Sequence, residues 1–163
     1  MPPIARKLLA ASALADVAGP QADNLTTSAC VFGGFSAEAV RDRILDSSSV
    51  CVITQSVTKR KGNDIHLFEA VATAVNSCPS VQHVICKDLP LKPESDKISY
   101  HDWDALYVEH SDGIDAIPLK SEHPLFFLYT SGSTGKPKGL VHTTGGYLTH
   151  VRYSFELVFD PKP

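Results

Sequence analysis

The sequence predicts an α/β fold built from parallel βαβ units. Short segments rich in β-branched and apolar residues alternate with segments whose apolar residues recur at helical spacing. Such alternation is typical of parallel strands joined by crossover helices. In addition, the apolar run Leu125–Tyr129 changes abruptly into ten residues of Gly, Ser, Thr, Lys and Pro. This change predicts a buried strand that delivers a polar loop to a surface.

The first predicted elements follow the pair Gly33 and Gly34. Ser36 stands at a helix N-cap position, and apolar residues after it share one face over about residues 37–45. A β-branched strand over 50–54 comes next, followed by a helix over about 67–76 and a strand over 81–87. These segments supply the predicted βαβ unit.

Residues 88–124 predict a polar connection with one short helix at about 102–109. His101, His110 and His123 lie here without metal-ligand spacing, so we interpret them as solvated or capping residues. After the polar loop, Leu140 and Val141 predict a return strand. A helix capped by Thr143 or Thr144 is expected to continue through Val158.

Composition indicates an ordinary soluble globular protein. The chain has 163 residues, 43% hydrophobic and 20% charged, with a formal charge of -3. This balance gives no general attraction to nucleic acid or anionic membranes, and no apolar run reaches the roughly 20 residues that a membrane span needs. We therefore expect a cytoplasmic protein without nucleic-acid or membrane partners.

The four cysteines contain no CxxC pair, which favours buried reduced thiols over a metal site. They are Cys30, Cys51, Cys78 and Cys86.

The polar loop has the composition of a phosphate-binding loop. Its glycines leave backbone N–H groups accessible, its hydroxyls add donors, and its lysines add positive charge. The P-loop of nucleotide hydrolases needs Gly, four residues and then Gly-Lys-Ser/Thr. Here Thr130 stands where the leading glycine is required, and Pro137 replaces the magnesium-binding hydroxyl. The loop is therefore a phosphate cradle of another design. A Ser/Gly linker is disfavoured, because linkers seldom follow such an apolar run.

The run YTSGSTGKPKG, residues 129–139, resembles the phosphate-binding motif of the adenylate-forming (AMP-binding) superfamily. The following LVHTTGGY and the upstream VFGGFSAEAVRDRI indicate a narrower group, because they resemble acetyl-CoA synthetases and their propionyl-CoA relatives. The resemblance implies that the chain is a partial N-terminal domain of such an enzyme. Residues 1–26 form an unmatched N-terminal segment, for which we favour a simple helix over a transit segment. Residues 27–163 form the partial AMP-binding domain.

The resemblance implies two groups of binding residues and no catalytic residue or metal ligand within this chain. The expected ATP phosphate-binding residues are Thr130, Ser131, Gly132, Ser133, Thr134, Gly135, Lys136 and Lys138. The expected CoA-binding residues are Phe32, Gly33, Gly34 and Arg60. Two plainer interpretations stay open, since the glycines could merely permit a turn and residues 59–63 could form a solvated basic turn. Residues 142–146 could likewise border the acyl side of the site or only turn the chain into its next helix.

The reaction that the resemblance implies is the activation of acetate, or another short-chain carboxylate, by ATP. The carboxylate attacks the α-phosphorus to form an acyl-adenylate, and CoA then displaces AMP. ATP, CoA and Mg²⁺ are the implied cofactors, and ATP, acetate and CoA are the implied small-molecule partners. We expect the 163-residue chain alone to be inactive, because a ligand site needs walls around most of its ligand. The alternative is a non-catalytic, truncated product that binds a nucleotide or a partner.

Overall fold

The architecture comes from a computed structural model, which describes residues 27–109, 118–130 and 138–159. These residues fall into two compact units. Unit 1 comprises residues 31–109, and unit 2 comprises residues 27–30, 118–130 and 138–159. In chain order the elements are β1 (Ser28–Cys30), α1 (Ala37–Ser47), β2 (Cys51–Gln55), β3 (Val57–Arg60), β4 (Asn63–His66), α2 (Leu67–Val75), β5 (His83–Lys87), β6 (Ser99–Asp102), α3 (Trp103–Glu109), β7 (Pro124–Thr130), β8 (Lys138–Thr143), α4 (Thr144–Ser154) and a π-helical turn (Phe155–Phe159).

Unit 1 contains the predicted parallel sheet, with strand order β2-β5-β6. Strands β2 and β5 are parallel neighbours and are connected in the chain through α2, which confirms the predicted βαβ unit. The sequence did not predict the antiparallel hairpin β3–β4 between β2 and α2, nor strand β6. The hairpin closes over Lys61 and Gly62, which both have positive φ, at 50° and 83°. A two-residue turn with positive φ at both positions matches the twist of antiparallel strands.

The main core of unit 1 lies between this sheet and helices α1 and α2. Val84 and Cys86 of β5 face it and are completely buried. Phe68 of α2 meets Tyr100 of β6 edge-on, with ring centroids 6.1 Å apart. The opposite face of the sheet carries a smaller cluster around Ile85. This alternation along β5 explains why its sequence reads as a continuous apolar run, because both of its faces are covered.

Helix α1 forms as its sequence predicts. The Ser36 hydroxyl accepts a hydrogen bond from the Ala39 amide at 3.3 Å, as an N-cap should. Val40 and Ile44 are buried on the inner face, while Leu45 stays exposed. Helix α2 and the short helix α3 also lie where the sequence places them. Among the described residues, no helix is both long and apolar enough to cross a bilayer.

Unit 2 is built around β7, which lies between β1 and β8 in a three-stranded sheet. Strand β1 runs parallel to β7, and β8 runs antiparallel to it as the predicted return strand. Leu125–Tyr129 forms the expected strand, but the expectation that this strand is buried is wrong. Leu128 is 42% exposed, and none of the described residues of unit 2 is buried. Neighbouring strands cover the edges of β7, but within the described part of the unit only α4 packs near the sheet faces.

Candidate functional site

Two paired strand ends in unit 2 flank the sequence of the polar loop. Strand β7 ends at Thr130 and β8 begins at Lys138, and these two residues are register partners. Both are exposed. The residues between them lie outside the described residues, so the expected roles of Ser131, Gly132, Ser133, Thr134, Gly135 and Lys136 stay predictions. The described ends place a hydroxyl-bearing and a cationic residue at the same end of the sheet.

The start of α4 is anchored against the turn that precedes β7. The Gly145 amide donates to the Ser121 carbonyl at 2.8 Å, and the Thr144 amide donates to the His123 carbonyl at 2.9 Å. Two N–H groups of the first helical turn are thereby satisfied. A Cβ on Gly145 would lie only 2.6 Å from the Ser121 Cβ, so this close approach needs glycine. The Thr143 side chain makes no N-cap bond to the helix, although Thr143 occupies the N-cap position.

His142 of β8 is a packing residue in this structure. Its ring stacks on Phe126 with centroids 4.7 Å apart and planes inclined by 24°. Tyr147 of α4 packs edge-on against Phe126 at 4.9 Å. These contacts tie α4 to the β7–β8 pair. Of the two interpretations of residues 142–146, the described contacts therefore support the one in which the segment turns the chain into its helix.

Unit 1 brings together the expected CoA-binding residues, which lie far apart in the sequence. The Arg60 guanidinium, at the end of β3, sits 5.0 Å from the centroid of the Phe32 ring. Phe32 is 57% exposed, and Arg60 is exposed as well. A guanidinium over an aromatic face is attracted by the ring quadrupole, by about 0.5–1 kcal/mol at an exposed site. The pair therefore presents an accessible cation beside an accessible aromatic ring.

The two glycines of this cluster have different structural requirements. Gly34 has a φ of 100°, which disfavours any side chain, whereas Gly33 carries no such restriction. A Cβ on Gly33 would meet Leu67 at an ordinary 3.6 Å. The amide of Phe35 donates to the Phe32 carbonyl at 3.4 Å and closes the turn. The turn alone thus explains why residue 34 is glycine. At residue 33, the contacts within unit 1 would also allow a side chain.

A second arginine–aromatic contact lies next to the Phe32–Arg60 pair. The Arg43 guanidinium of α1 lies 4.5 Å from the Phe35 ring centroid, and Phe35 and Phe32 have centroids 5.8 Å apart. Two guanidinium groups thus lie over two neighbouring rings. Sequence analysis missed this arrangement because Arg43 reads as an ordinary helical residue. The spacing of Phe32 and Phe35 around two glycines is the only signal that pointed to it.

The basic segment at residues 59–63 is the exposed end of the β3–β4 hairpin, as the solvated-turn interpretation predicts. Lys59 lies 4.0 Å from Asp64 across the hairpin, a loose and exposed ion pair. Lys61 is exposed within the turn itself. The exposed hairpin is therefore consistent with both the solvated-turn and the CoA-binding interpretation, because an exposed turn can also present Arg60 to a ligand.

Two sequence-based interpretations of titratable residues need correction. His101 is neither solvated nor capping, because it is half-buried and its Nε2 lies 3.3 Å from Nδ1 of His83 on the adjacent strand.

Cys30 is exposed rather than buried, since it lies at the end of β1 in unit 2. Burial raises the pKa of Cys51 to about 12 and that of Cys86 to about 11. All four cysteines are free. The described residues contain no group of three or more His, Cys, Asp or Glu that could hold a metal ion.

Two comparisons define the class of this protein. Residues 26–161 match the family model described as AMP-binding enzyme, and the chain therefore belongs to the AMP-binding enzyme family. Its fold is shared with the acetoacetyl-CoA synthetase from Streptomyces lividans, with a TM-score of 0.73 at 24% identity. That alignment covers 98% of this chain and 28% of the other chain. The predicted α/β class and the resemblance to adenylate-forming enzymes are both confirmed.

Among curated proteins, the chain is similar to acetyl-coenzyme A synthetases. It is 44% identical over 137 residues to that of Chlorobaculum tepidum, a match that covers 81% of this chain and 20% of the relative. Its identity is 46% over 140 residues to that of Marinomonas sp. (strain MWYL1) and 45% over 140 residues to that of Escherichia coli K12. Each of these two matches covers 82% of this chain and 21% of the relative. The chain thus spans about a fifth of the length of these relatives.

Proposed function

We propose that this sequence forms part of an acetate–CoA ligase, which activates acetate or another short-chain carboxylate with ATP and then forms the acyl-CoA. The observation that carries the proposal is the 44–46% identity to acetyl-coenzyme A synthetases over more than four fifths of the chain. Membership of the AMP-binding enzyme family supports the same chemistry. Each of the two units carries one proposed binding group.

In unit 2, residues 130–138 are proposed to hold the phosphates of ATP. The first step transfers negative charge to the departing pyrophosphate, and fixed N–H donors, hydroxyls and cations stabilise that charge. Thr130 and Lys138 support this role because they are exposed, paired and at the same strand ends. Lys138 lies on β8, so its backbone is held by the strand ladder. We propose Lys138 as the principal cation and Lys136 as a more solvated one.

In unit 1, the Phe32–Arg60 cluster is proposed to contact the nucleotide end of CoA. An exposed guanidinium can bind a phosphate, and an exposed ring can pack against a base or ribose. The cluster also explains why the basic hairpin and the Phe-Gly-Gly turn are brought together. Gly33 adds a backbone without a side chain beside them. The proposal is that Arg60 supplies the charge and Phe32 the contact surface.

The family implies that Mg²⁺ accompanies ATP, so we tested whether the described residues fit such an ion. Magnesium prefers oxygen ligands in octahedral geometry, usually from one or two carboxylates together with phosphates. No group of three or more potential side-chain ligands converges within the described residues. Thr130 and Lys138 offer no carboxylate. The described residues that flank the loop therefore do not supply the carboxylate that a magnesium site would need.

A second candidate function is a non-catalytic polypeptide that binds a nucleotide or a partner. The exposed apolar surface of unit 2 favours this alternative, because contiguous apolar surface commonly marks an interaction site. Val158 and Phe159 are 74% and 71% exposed. The two candidates differ in one respect: the binding polypeptide would retain ATP without exchanging its pyrophosphate.

The adenylation step is tested by acetate-dependent exchange of pyrophosphate into ATP, measured on the complete gene product that contains this sequence. We expect robust exchange, reduced about 10²–10³-fold in Lys138→Ala, because one charge-stabilising contact to the transition state is removed. Lys120→Ala is the matched control, since Lys120 is also an exposed lysine of unit 2 but precedes β7. An unchanged rate in Lys138→Ala would overturn the loop assignment. Absence of any acetate-dependent exchange, with ATP still bound, would favour the second candidate.

The CoA role of unit 1 is tested separately by the variant Arg60→Ala. We expect the Michaelis constant for CoA to rise by about 10- to 150-fold, since a charged hydrogen bond contributes about 1.5–3 kcal/mol. The acetate-dependent exchange should stay unchanged, because it requires no CoA. Lys59→Ala is the matched control, as Lys59 lies on the same strand but makes only the loose contact to Asp64. An unaltered Michaelis constant in Arg60→Ala would leave the solvated turn as the function of this segment.

A further inference from the structure

A buried arginine lies behind the exposed rings of the Phe32–Arg60 cluster. Arg43 of α1 is 8% exposed, and it is the one charged residue that is buried in the part of the chain that the structure describes. Its guanidinium lies 4.5 Å from the centroid of Phe35, and that ring lies 5.8 Å from the ring of Phe32. The Phe32 ring is in turn 5.0 Å from the exposed Arg60 guanidinium. Four side chains therefore form a continuous row from a buried cation to an exposed one.

The burial of Arg43 is costly unless its charge and its N–H groups are stabilised. Nη1 of Arg43 donates to the Ala39 carbonyl at 2.7 Å, one turn earlier on α1. The Phe35 ring adds a cation–π contact, which is stronger where water is excluded than at the surface. An apolar side chain would fill the same space without the cost of burying a charge. The contact with Phe35 is one that a guanidinium makes and an apolar side chain does not.

The turn that carries the two rings leaves them partly free. The Phe35 amide donates to the Phe32 carbonyl at 3.4 Å, which is long for such a hydrogen bond. Phe32 is 57% exposed and Phe35 is 37% exposed, so neither ring is enclosed on all sides. A side chain with an open face keeps rotamer freedom unless a contact restricts it. The Arg43 guanidinium restricts Phe35, and Phe35 restricts Phe32.

We propose that Arg43 is a positioning residue for CoA, which holds Phe35 and through it keeps the Phe32 ring in the orientation that meets the nucleotide end of CoA. Arg43 acts from within the unit, since it is buried, and the contact with CoA is made by Phe32. This inference rests on the proposed CoA role of Phe32 and Arg60. A contact residue that is already ordered loses less entropy on binding. Loss of the Arg43 guanidinium therefore weakens CoA binding.

The test is the Michaelis constant for CoA, measured on the complete gene product that contains this sequence. Arg43→Met keeps a long, flexible side chain and removes the guanidinium. We expect it to raise the Michaelis constant about three- to tenfold, within the range for loss of a coupling between side chains in contact, while kcat changes less. Arg41→Met is the matched control on the same helix, since Arg41 is more exposed and pairs with Asp42. This control should leave the Michaelis constant unchanged.

A double substitution separates positioning from a general effect on α1. In Phe32→Ala the ring that Arg43 is proposed to position is absent, so the addition of Arg43→Met should raise the Michaelis constant no further. An equal rise in both backgrounds would overturn the proposal, because Arg43 would then act without Phe32.

Substitutions of Phe35 test the same row at its middle and require no change at Arg43. Phe35→Leu should raise the Michaelis constant for CoA as Arg43→Met does, because the ring is lost. Phe35→Tyr should keep a value close to that of the wild type, because the ring is retained. If Arg43→Met fails to fold by circular dichroism, this pair still decides, and equal Michaelis constants in the two variants would overturn the proposal.

The same measurements distinguish this inference from the proposed CoA role on which it rests. Unchanged Michaelis constants in Phe32→Ala and Arg60→Ala would overturn both. Raised constants in those two variants, with unchanged constants in Arg43→Met and Phe35→Leu, would overturn the positioning role alone.

Discussion

Unit 1 and unit 2 differ in how their apolar residues are covered. All of the buried hydrophobic residues among those described lie in unit 1, including Val84 and Cys86 with no exposed surface. The described residues of unit 2 include none that is buried, although β7 is one of the most apolar segments of the sequence. Burial is the dominant favourable contribution to folding. Unit 1 therefore carries its own stabilising core, whereas the described part of unit 2 does not.

The difference bears on function because each unit carries one proposed binding group. In the Phe32–Arg60 cluster, Phe32 directly follows Val31, which packs against the unit 1 core, and it holds Arg60 of the exposed hairpin β3–β4 over its ring. Thr130 and Lys138 sit on strands whose side chains are half-buried or exposed. A binding group needs a rigid supporting frame to act with precision. We therefore expect the cluster of unit 1 to be preformed and the phosphate-side residues of unit 2 to depend on further packing.

The largest expected effect is a difference in core substitutions. Ile85→Ala should lower the free energy of unfolding of unit 1 by about 2–5 kcal/mol, the range for buried Ile→Ala changes. Leu157→Ala, at a residue that is 63% exposed in unit 2, should change stability by less than about 0.5 kcal/mol. Urea unfolding is followed by circular dichroism, which reports the helices and strands of both units, and by fluorescence of the single tryptophan, Trp103, which reports unit 1. Equal effects of the two substitutions would remove the contrast between the units.

Thiol reactivity should separate the units by a second, independent measure. At pH 8, pKa values of about 12 and about 11 leave roughly one Cys51 in ten thousand and one Cys86 in a thousand as the reactive thiolate. Cys30 in unit 2 is exposed to reagent. Alkylation of the native chain, followed by mass spectrometry of its peptides, should label Cys30 at least about 100-fold faster than either residue. Comparable labelling of Cys86 would show that the unit 1 core opens readily.

A smaller effect is expected at the start of α4, where Gly145 lies close against Ser121. Gly145→Ala should destabilise the helix by about 1–3 kcal/mol, because its Cβ would overlap that of Ser121. Gly146→Ala is the matched control, since its Cβ would meet only the Thr143 hydroxyl, which can rotate. That control should be neutral or stabilising by up to about 1 kcal/mol through helix propensity.

The readout for this pair is hydrogen–deuterium exchange in peptides from α4. Gly145→Ala should accelerate exchange, and Gly146→Ala should leave it unchanged or slow it. Equal acceleration in both variants would indicate that glycine is needed for flexibility at both positions and that the contact with Ser121 is not specific.

The sequence predicted the elements that local signals specify. Ser36 identified the start of α1, and β-branched and apolar runs identified β2, β5 and β7. The hairpin β3–β4 was missed because its strands are short, polar and exposed, so they lack the apolar alternation that marks a strand. Strand β6 was missed because its Ser, Tyr, His and Asp resemble a loop. Its strand conformation comes from pairing with β5, a contact that local sequence does not encode.

For the candidate site, the sequence proposed residues but did not reveal their contacts. The motif at 129–139 pointed to Thr130 and Lys138, and their pairing across β7 and β8 follows from the return strand. The contact between Arg60 and Phe32 was not predictable, since it depends on a hairpin that the sequence did not reveal. The pairing of His83 with His101 was hidden for the same reason, because β6 was missed. Contacts between distant segments require the register of the sheet.

Hydrogen–deuterium exchange of the intact chain, resolved by peptide, tests the contrast between the units most directly. Amides of β5 should show protection near the global free energy of unfolding of unit 1, because that strand is paired on both sides and buried. Amides of β7 should exchange at least about tenfold faster, although that strand is also paired on both sides. This result would show that the difference in amide protection between the two units comes from burial rather than from strand pairing. Equal protection of β5 and β7 would contradict the conclusion that unit 1 carries its own core whereas the described part of unit 2 does not.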